Sequence, residues 1–121
     1  MLQPNTGTSG IGLTLFFYIM NAWAQPQVAQ MKLLGITDLD TFKKLANNEL
    51  TDISEESLVR ISYLMKIHKY LSTIFSQEEQ ANGWINRANT EFNNLTASEY
   101  IQLNGTEGLE DVCNYLHSYC H

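Results

Sequence analysis

The chain has 121 residues, 44% hydrophobic and 17% charged, with a formal net charge of −6. That length holds one compact unit, or two very small ones sharing a core. The composition excludes a globally disordered chain.

The charge is unevenly placed. In residues 1–70, Lys32, Lys43, Lys44, Arg60, Lys66 and Lys69 balance Asp38, Asp40, Glu49, Asp52, Glu55 and Glu56. After residue 70, Arg87 alone faces Glu78, Glu79, Glu91, Glu99, Glu107, Glu110 and Asp111. The second half therefore repels nucleic acid and suits a basic partner. The neutral first half is weakly suited to DNA without excluding it.

Residues 1–10 are rich in Gly, Ser, Thr, Asn and Pro and predict a flexible start. A first helix is predicted from about Ile11 to Ala24. Leu13, Phe16, Phe17, Met20, Trp23 and Ala24 fall on one of its faces, as a core helix requires. Ala22-Trp23-Ala24 also has the small-x-small form of a signal cleavage site. The segment before it, however, carries no Lys or Arg. Its apolar run is too short to span a bilayer.

Pro26 suits the first turn of a second helix, which Gly35 ends as a left-handed cap. Asp38 or Asp40 caps a third helix through about Asn47. Pro26–Leu45 is thus a helix-turn-helix candidate around Gly35-Ile36-Thr37. Its second helix offers DNA only Lys43 and Lys44, and it begins acidic where base readers usually carry Arg, Asn or Gln. The alternative is a helical hairpin kept for packing or dimerisation.

Ser54 is a good cap for the longest helical pattern, with Glu55 and Glu56 in its first turn. Leu58, Ile61, Leu64, Met65, Ile67, Leu71, Ile74 and Phe75 make its apolar stripe. The pattern tolerates a break near Lys66. Ser76 with Glu79 predicts a capping box for a short helix through Trp84 and Ile85. Residues 86–95 read as an Asn-rich loop. Thr96 with Glu99 gives a second capping box, for a helix ending near Gly105. A last helix runs from about Glu107 to Tyr119, with Leu109, Val112, Cys113 and Leu116 inward and Tyr119 at the edge of that face. No stretch keeps the alternation of a strand. The fold class expected is all-α, with about seven helices.

Cys113 and Cys120 stand two turns apart on a predicted helix, about 10 Å of rise. A disulfide needs Cα atoms within about 7 Å, so reduced thiols in a cytoplasmic protein are expected. Cys113, His117, Cys120 and His121 contain good zinc ligands, but one straight helix cannot wrap a tetrahedral ion. Cys113 also falls on the core face, so no metal is assigned. His68, between Lys66 and Lys69, reads as solvated. No phosphate loop, nucleophile elbow or metalloprotease motif occurs, so neither catalytic residues nor cofactors are assigned. Trp84 reads as a core anchor. Tyr115 and Tyr119 on an acidic terminal helix also suit partner binding, because aromatic residues dominate interface hot spots.

The order of these pieces resembles the Xre/MbcA/ParS antitoxin family, in particular antitoxins paired with RES-domain toxins. Leu15-Phe16-x-x-Ile19-x-x-x-Trp23 looks like its opening helix. Gln30-x-x-Leu33-Leu34-Gly35 looks like its Gln-x-x-Leu-Leu-Gly signature. The closest match is Leu58-x-Arg60-Ile61-Ser62-Tyr63-Leu64-x-x-Ile67-x-Lys69-x-Leu71-x-x-x-Phe75. Trp84-Ile85-x-x-x-Asn89 resembles the segment opening the toxin-binding domain, and Gly108-Leu109-x-x-Val112-x-x-Tyr115-Leu116 its final helix. Asp40-Thr41-Phe42-Lys43-Lys44-Leu45 lacks the arginine and tryptophan of the family's recognition-like helix. Asn94 stands near a family glycine, and Asn is the next best residue at positive φ. The terminal residues lack the family's Arg-Gly-rich tail.

The resemblance implies a helix-turn-helix-like domain at 11–75 and a toxin-binding domain at 76–121, following a flexible 1–10. It implies a cognate RES-type toxin that consumes NAD and whose active-site cleft the C-terminal domain covers. A homodimer is implied, with operator DNA bound mainly as the toxin–antitoxin complex, and no membrane. Trp84, Asn89, Tyr115, Tyr119, Cys120 and His121 are the expected toxin-binding residues. Two other readings stay open: a stand-alone transcriptional regulator, and a helical interaction module that binds neither DNA nor toxin.

Overall fold

Helix α4, Glu55–Ile74, is the central element of the computed structural model, which describes residues 8–120. Ser54 caps it by accepting from the Ser57 N–H, and its helix runs without a break past Lys66. Ile61, Leu64, Ile67 and Leu71 are buried, at the spacing of one helical face. Helix α1, Thr8–Ala22, packs along it, and α6, Ala97–His117, packs on another side. Helix α2, Gln27–Leu34, lies against α4 and α6. Helix α3, Leu39–Ala46, docks on α1 through Phe42, whose ring meets Phe17 edge-on at 5.8 Å. Helix α5, Glu78–Gly83, closes the end of α4.

The all-α expectation holds with one addition. Residues 86–95 are not a plain loop. A 3₁₀ turn, Trp84–Asn86, leads into strand β1, Ala88–Asn89, which pairs antiparallel with β2, Leu95–Thr96. A second 3₁₀ turn, Thr90–Phe92, lies between them. Two-residue strands carry no alternation, so the sequence pattern cannot announce them. Asn93 (φ 58°) and Asn94 (φ 66°) make the reversal in the left-handed region, which Asn tolerates.

Four other local expectations are corrected. Helix α1 already includes Thr8 to Gly10, which had been assigned to the flexible start; residues 1–7 lie outside the described residues. The helix ends at Ala22, and Ala24 is exposed at φ 54°. The Ser76–Glu79 capping box does not form, because α5 begins one residue later with Gln77 as its cap. Burial of Ala81 and Ile85 sets that phase. A cap contributes about 1 kcal/mol, less than two buried apolar side chains. His68 is half-buried rather than solvated, its ring lying between Tyr18 (6.0 Å) and Trp23 (6.3 Å).

The Thr96–Glu99 capping box forms as expected, with both bonds present. Helix α6 then turns sharply at Gly105 (φ 61°, ψ −136°), so the predicted boundary between two helices appears as a kink. Arg60 fills the space beside it. Its guanidinium donates to the Lys32 carbonyl and to Glu56, and a Cβ on Gly105 would lie 3.2 Å from Nη2. Gly35, the left-handed cap of α2, borders the same guanidinium, 2.9 Å from where its Cβ would stand. Arg60 thus joins the end of α2 to the kink of α6. Gly105→Ala is expected to cost about 1–3 kcal/mol, because only glycine is at ease at that φ and ψ. Urea unfolding of the purified variant measures it.

One contiguous core runs through both predicted halves, from Phe16 in α1 and Trp23 just after it to Leu109 and Leu116 in α6. A partly buried polar network reinforces the join, with Gln25 and Ser98 buried and Asn86 exposed. Ser98 of α6 donates to Gln25 Oε1 at 2.6 Å. Gln25 Nε2 donates to Asn86 Oδ1 at 2.8 Å, and Asn86 Nδ2 to the Trp23 carbonyl at 2.7 Å. Its members are ordinary polar residues far apart in sequence, which no spacing rule connects. No helix among the described residues is long and apolar enough to cross a membrane.

Candidate functional site

The chemistry-bearing surface of the second half is built on its aromatic residues. Asn89 organises the turn that carries Phe92: its side chain accepts from the Glu91 N–H at 2.9 Å, and its carbonyl from the Asn94 N–H at 2.9 Å. Phe92 is buried at the centre of the cluster. It meets Tyr100 at 5.0 Å, Tyr115 at 5.4 Å and Trp84 at 6.2 Å. The Trp84 and Tyr115 rings stack 6.3 Å apart, and Tyr119 meets Tyr115 edge-on at 5.2 Å. Such pairs add specific geometry to ordinary apolar burial. Trp84 and Tyr115 are half-buried, whereas Tyr119 is 59% exposed.

A groove of about 210 Å³ opens among Ile74, Phe75, Trp84, Tyr115, Leu116 and Tyr119. Beside it lies a wider basin of about 430 Å³, which shares Tyr115 and includes Glu91, Tyr100, Asp111 and Asn114. The Tyr100 hydroxyl donates to Asp111 at 2.6 Å, and that bond pushes its pKa above the ordinary tyrosine value. The Tyr119 hydroxyl is also pushed up, first by its 3.4 Å bond to Tyr115. Both therefore stay neutral donors at neutral pH.

The structure brings together Trp84, Tyr115 and Tyr119, with Asn89 supporting the turn beside them. Cys120 does not join them. Its thiol faces the Tyr70 carbonyl at 4.0 Å. His121 lies outside the described residues. Lys43 and Lys44 are exposed on α3. At the start of that helix, Thr41 donates to Asp38, which holds the Asp38 carboxyl below its usual range. Sequence reasoning missed Phe92, Tyr100 and the groove walls Ile74 and Phe75 as members of this surface. Phe92 gives no periodic signal inside an Asn-rich segment, and Tyr100 is recognisable only by its contacts.

Both cysteines are free. Cys113 is buried, and desolvation pushes its thiol up to about 11, the signature of an inert thiol rather than a reactive one. His117 turns to the Tyr70 hydroxyl at 3.3 Å. Among the described residues no group of three His, Cys, Asp or Glu side chains could hold a metal ion.

The electrostatics are one-sided. Among the described residues the salt bridge found is Arg60–Glu56, within the first 70 positions. Among the described residues none of the carboxylates after residue 70 forms a salt bridge, and Arg87 lies over the Phe75 ring at 5.9 Å.

Residues 71–119, which contain this whole surface, match the family described as the antitoxin Xre/MbcA/ParS C-terminal toxin-binding domain. The chain is also 34% identical over 104 residues to the uncharacterized protein y4oB of Sinorhizobium fredii, covering 86% of this chain and 80% of that protein. No solved structure gives a significant match.

Proposed function

Because this chain belongs to the Xre/MbcA/ParS antitoxin family, we propose that it is the antitoxin of a type II toxin–antitoxin pair, neutralising a RES-type, NAD-consuming toxin. The role is binding rather than catalysis. The observation that carries it is the aromatic groove within the toxin-binding domain, set in a half whose carboxylates lack cationic partners among the described residues. A cleft that holds a dinucleotide phosphate is basic, and an acidic face complements it. Residues 76–121 cover that cleft, with Tyr115 and Tyr119 as contacts and Trp84 and Asn89 holding the surface in shape. Cys120, whose thiol faces the Tyr70 carbonyl, and His121 are proposed as contacts outside that aromatic surface.

The first part, residues 11–75, supplies dimerisation and DNA contact. Ile11 and Tyr18 are 52% and 58% exposed, and with Leu15 between them they form an exposed apolar stripe on α1 that suits a second copy. Lys43 and Lys44 are free to meet phosphate, but the ionised Asp38 beside them opposes it. Operator binding therefore belongs mainly to the toxin–antitoxin complex rather than to the free dimer.

Growth of cells expressing a cognate RES-type toxin tests the proposal. Co-expression of this chain restores growth on this account. A toxin left fully active by the expressed, folded chain contradicts it. A stand-alone regulator would instead bind its operator tightly without toxin, with a steep salt dependence.

A further inference from the structure

The geometry points to a two-part docking surface for a basic partner segment, in which an apolar side chain fills the groove and an arginine fills the basin beside it. The inference rests on the antitoxin reading and specifies what the partner must present. The groove walls Ile74, Trp84 and Leu116 are apolar, and about 210 Å³ accommodates one aliphatic or aromatic side chain. The basin differs in kind. Phe92, Tyr100 and Tyr115 give it aromatic walls, and Glu91 and Asp111 give it two carboxylates. Guanidinium suits both features, since it stacks on rings and pairs with carboxylates through fixed N–H groups. An ammonium would satisfy the charge but not the flat walls.

Charge complementarity selects the occupant. One oxygen of Asp111 takes the Tyr100 hydroxyl, and neither Asp111 nor Glu91 has a cation beside it among the described residues. The chain itself cannot supply the arginine. Arg60 is held by Glu56 and the Lys32 carbonyl, and Arg87 by the Gln80 carbonyl and the Phe75 ring. Residues 1–7 contain no Lys or Arg. A second copy would bring another half with net charge −6 against this one. Because Tyr115 lines both groove and basin, the two side chains come from neighbouring positions of one partner segment.

The test is the affinity of the purified full chain for its purified toxin at low and moderate salt. Glu91→Gln with Asp111→Asn should weaken binding about tenfold or more and flatten its salt dependence, since both charge contacts are lost. Asn114→Arg, at an exposed basin position, should do the same by supplying the cation internally. Glu78→Gln with Glu79→Gln, equally acidic but on α5, should change affinity far less. Unchanged affinity in both basin variants overturns the inference and leaves the antitoxin reading standing. So does an equal loss from the α5 variant, which would show that only overall charge matters. Failure of the unmodified chain to bind the toxin overturns the antitoxin reading itself, and this inference with it.

Discussion

Replacing Trp23 with alanine is expected to remove about 3–5 kcal/mol of stability, a large share of what a domain this size possesses. The side chain is 1% exposed and stands where α1 meets α4. Its removal leaves a cavity bounded by elements that cannot collapse independently. Its carbonyl accepts from both Gln25 and Asn86, so backbone relaxation at this point reaches the turn that begins with Trp84. Trp23→Phe should cost much less. The indole N–H has no hydrogen-bond partner among the described residues, and phenylalanine removes that buried donor along with part of the volume. Chemical denaturation of both variants measures the difference. Equal losses would mean that the indole N–H is satisfied in solution.

Tyr119→Ala is expected to separate binding from folding. The ring is 59% exposed and packs on Tyr115, so its loss leaves the core intact. Stability should change little. If Tyr119 is a contact anchor, affinity for the toxin falls about tenfold or more, as truncation of an interface tyrosine typically does. Truncating the chain at residue 106 is a poorer test. It removes Leu109, Val112 and Leu116, all buried, and so destroys the fold along with the surface. Circular dichroism of Tyr119→Ala beside its toxin affinity reads both quantities. A folded variant with unchanged affinity removes Tyr119 from the interface.

The helices were readable where one physical cause dominates. Ser54, Asp38, Gly35 and the Thr96–Glu99 pair each cap a helix as their chemistry dictates. The stripe Ile61–Leu64–Ile67–Leu71 is buried because its spacing leaves no other face for the core. Gly105 marked a boundary, though not that Arg60 would fill the angle it creates. What failed was set by tertiary contact. Ser76 lost its capping role because Ala81 and Ile85 fix the phase of α5. His68 looked solvated between two lysines, but α1 and the turn after it bring Tyr18 and Trp23 over it.

The candidate site was half legible. Trp84, Tyr115 and Tyr119 stood out as aromatics on an acidic stretch, and they do form one surface. Phe92 and Tyr100 complete it through contacts that no local pattern encodes. Cys120 was grouped with the tyrosines by proximity in sequence, whereas the end of α6 turns its thiol toward Tyr70. The excess of carboxylates was countable from the start, but only the fold places Glu91 and Asp111 around one basin.

The central claim is neutralisation of a RES-type toxin by this acidic face, and NAD consumption measures it most directly. The purified toxin is titrated with the purified full chain while NAD loss is followed. The account predicts that NAD loss stops once the toxin is saturated, and that Tyr119→Ala needs a higher concentration to stop it. Undiminished NAD consumption with the folded chain in excess would contradict the account.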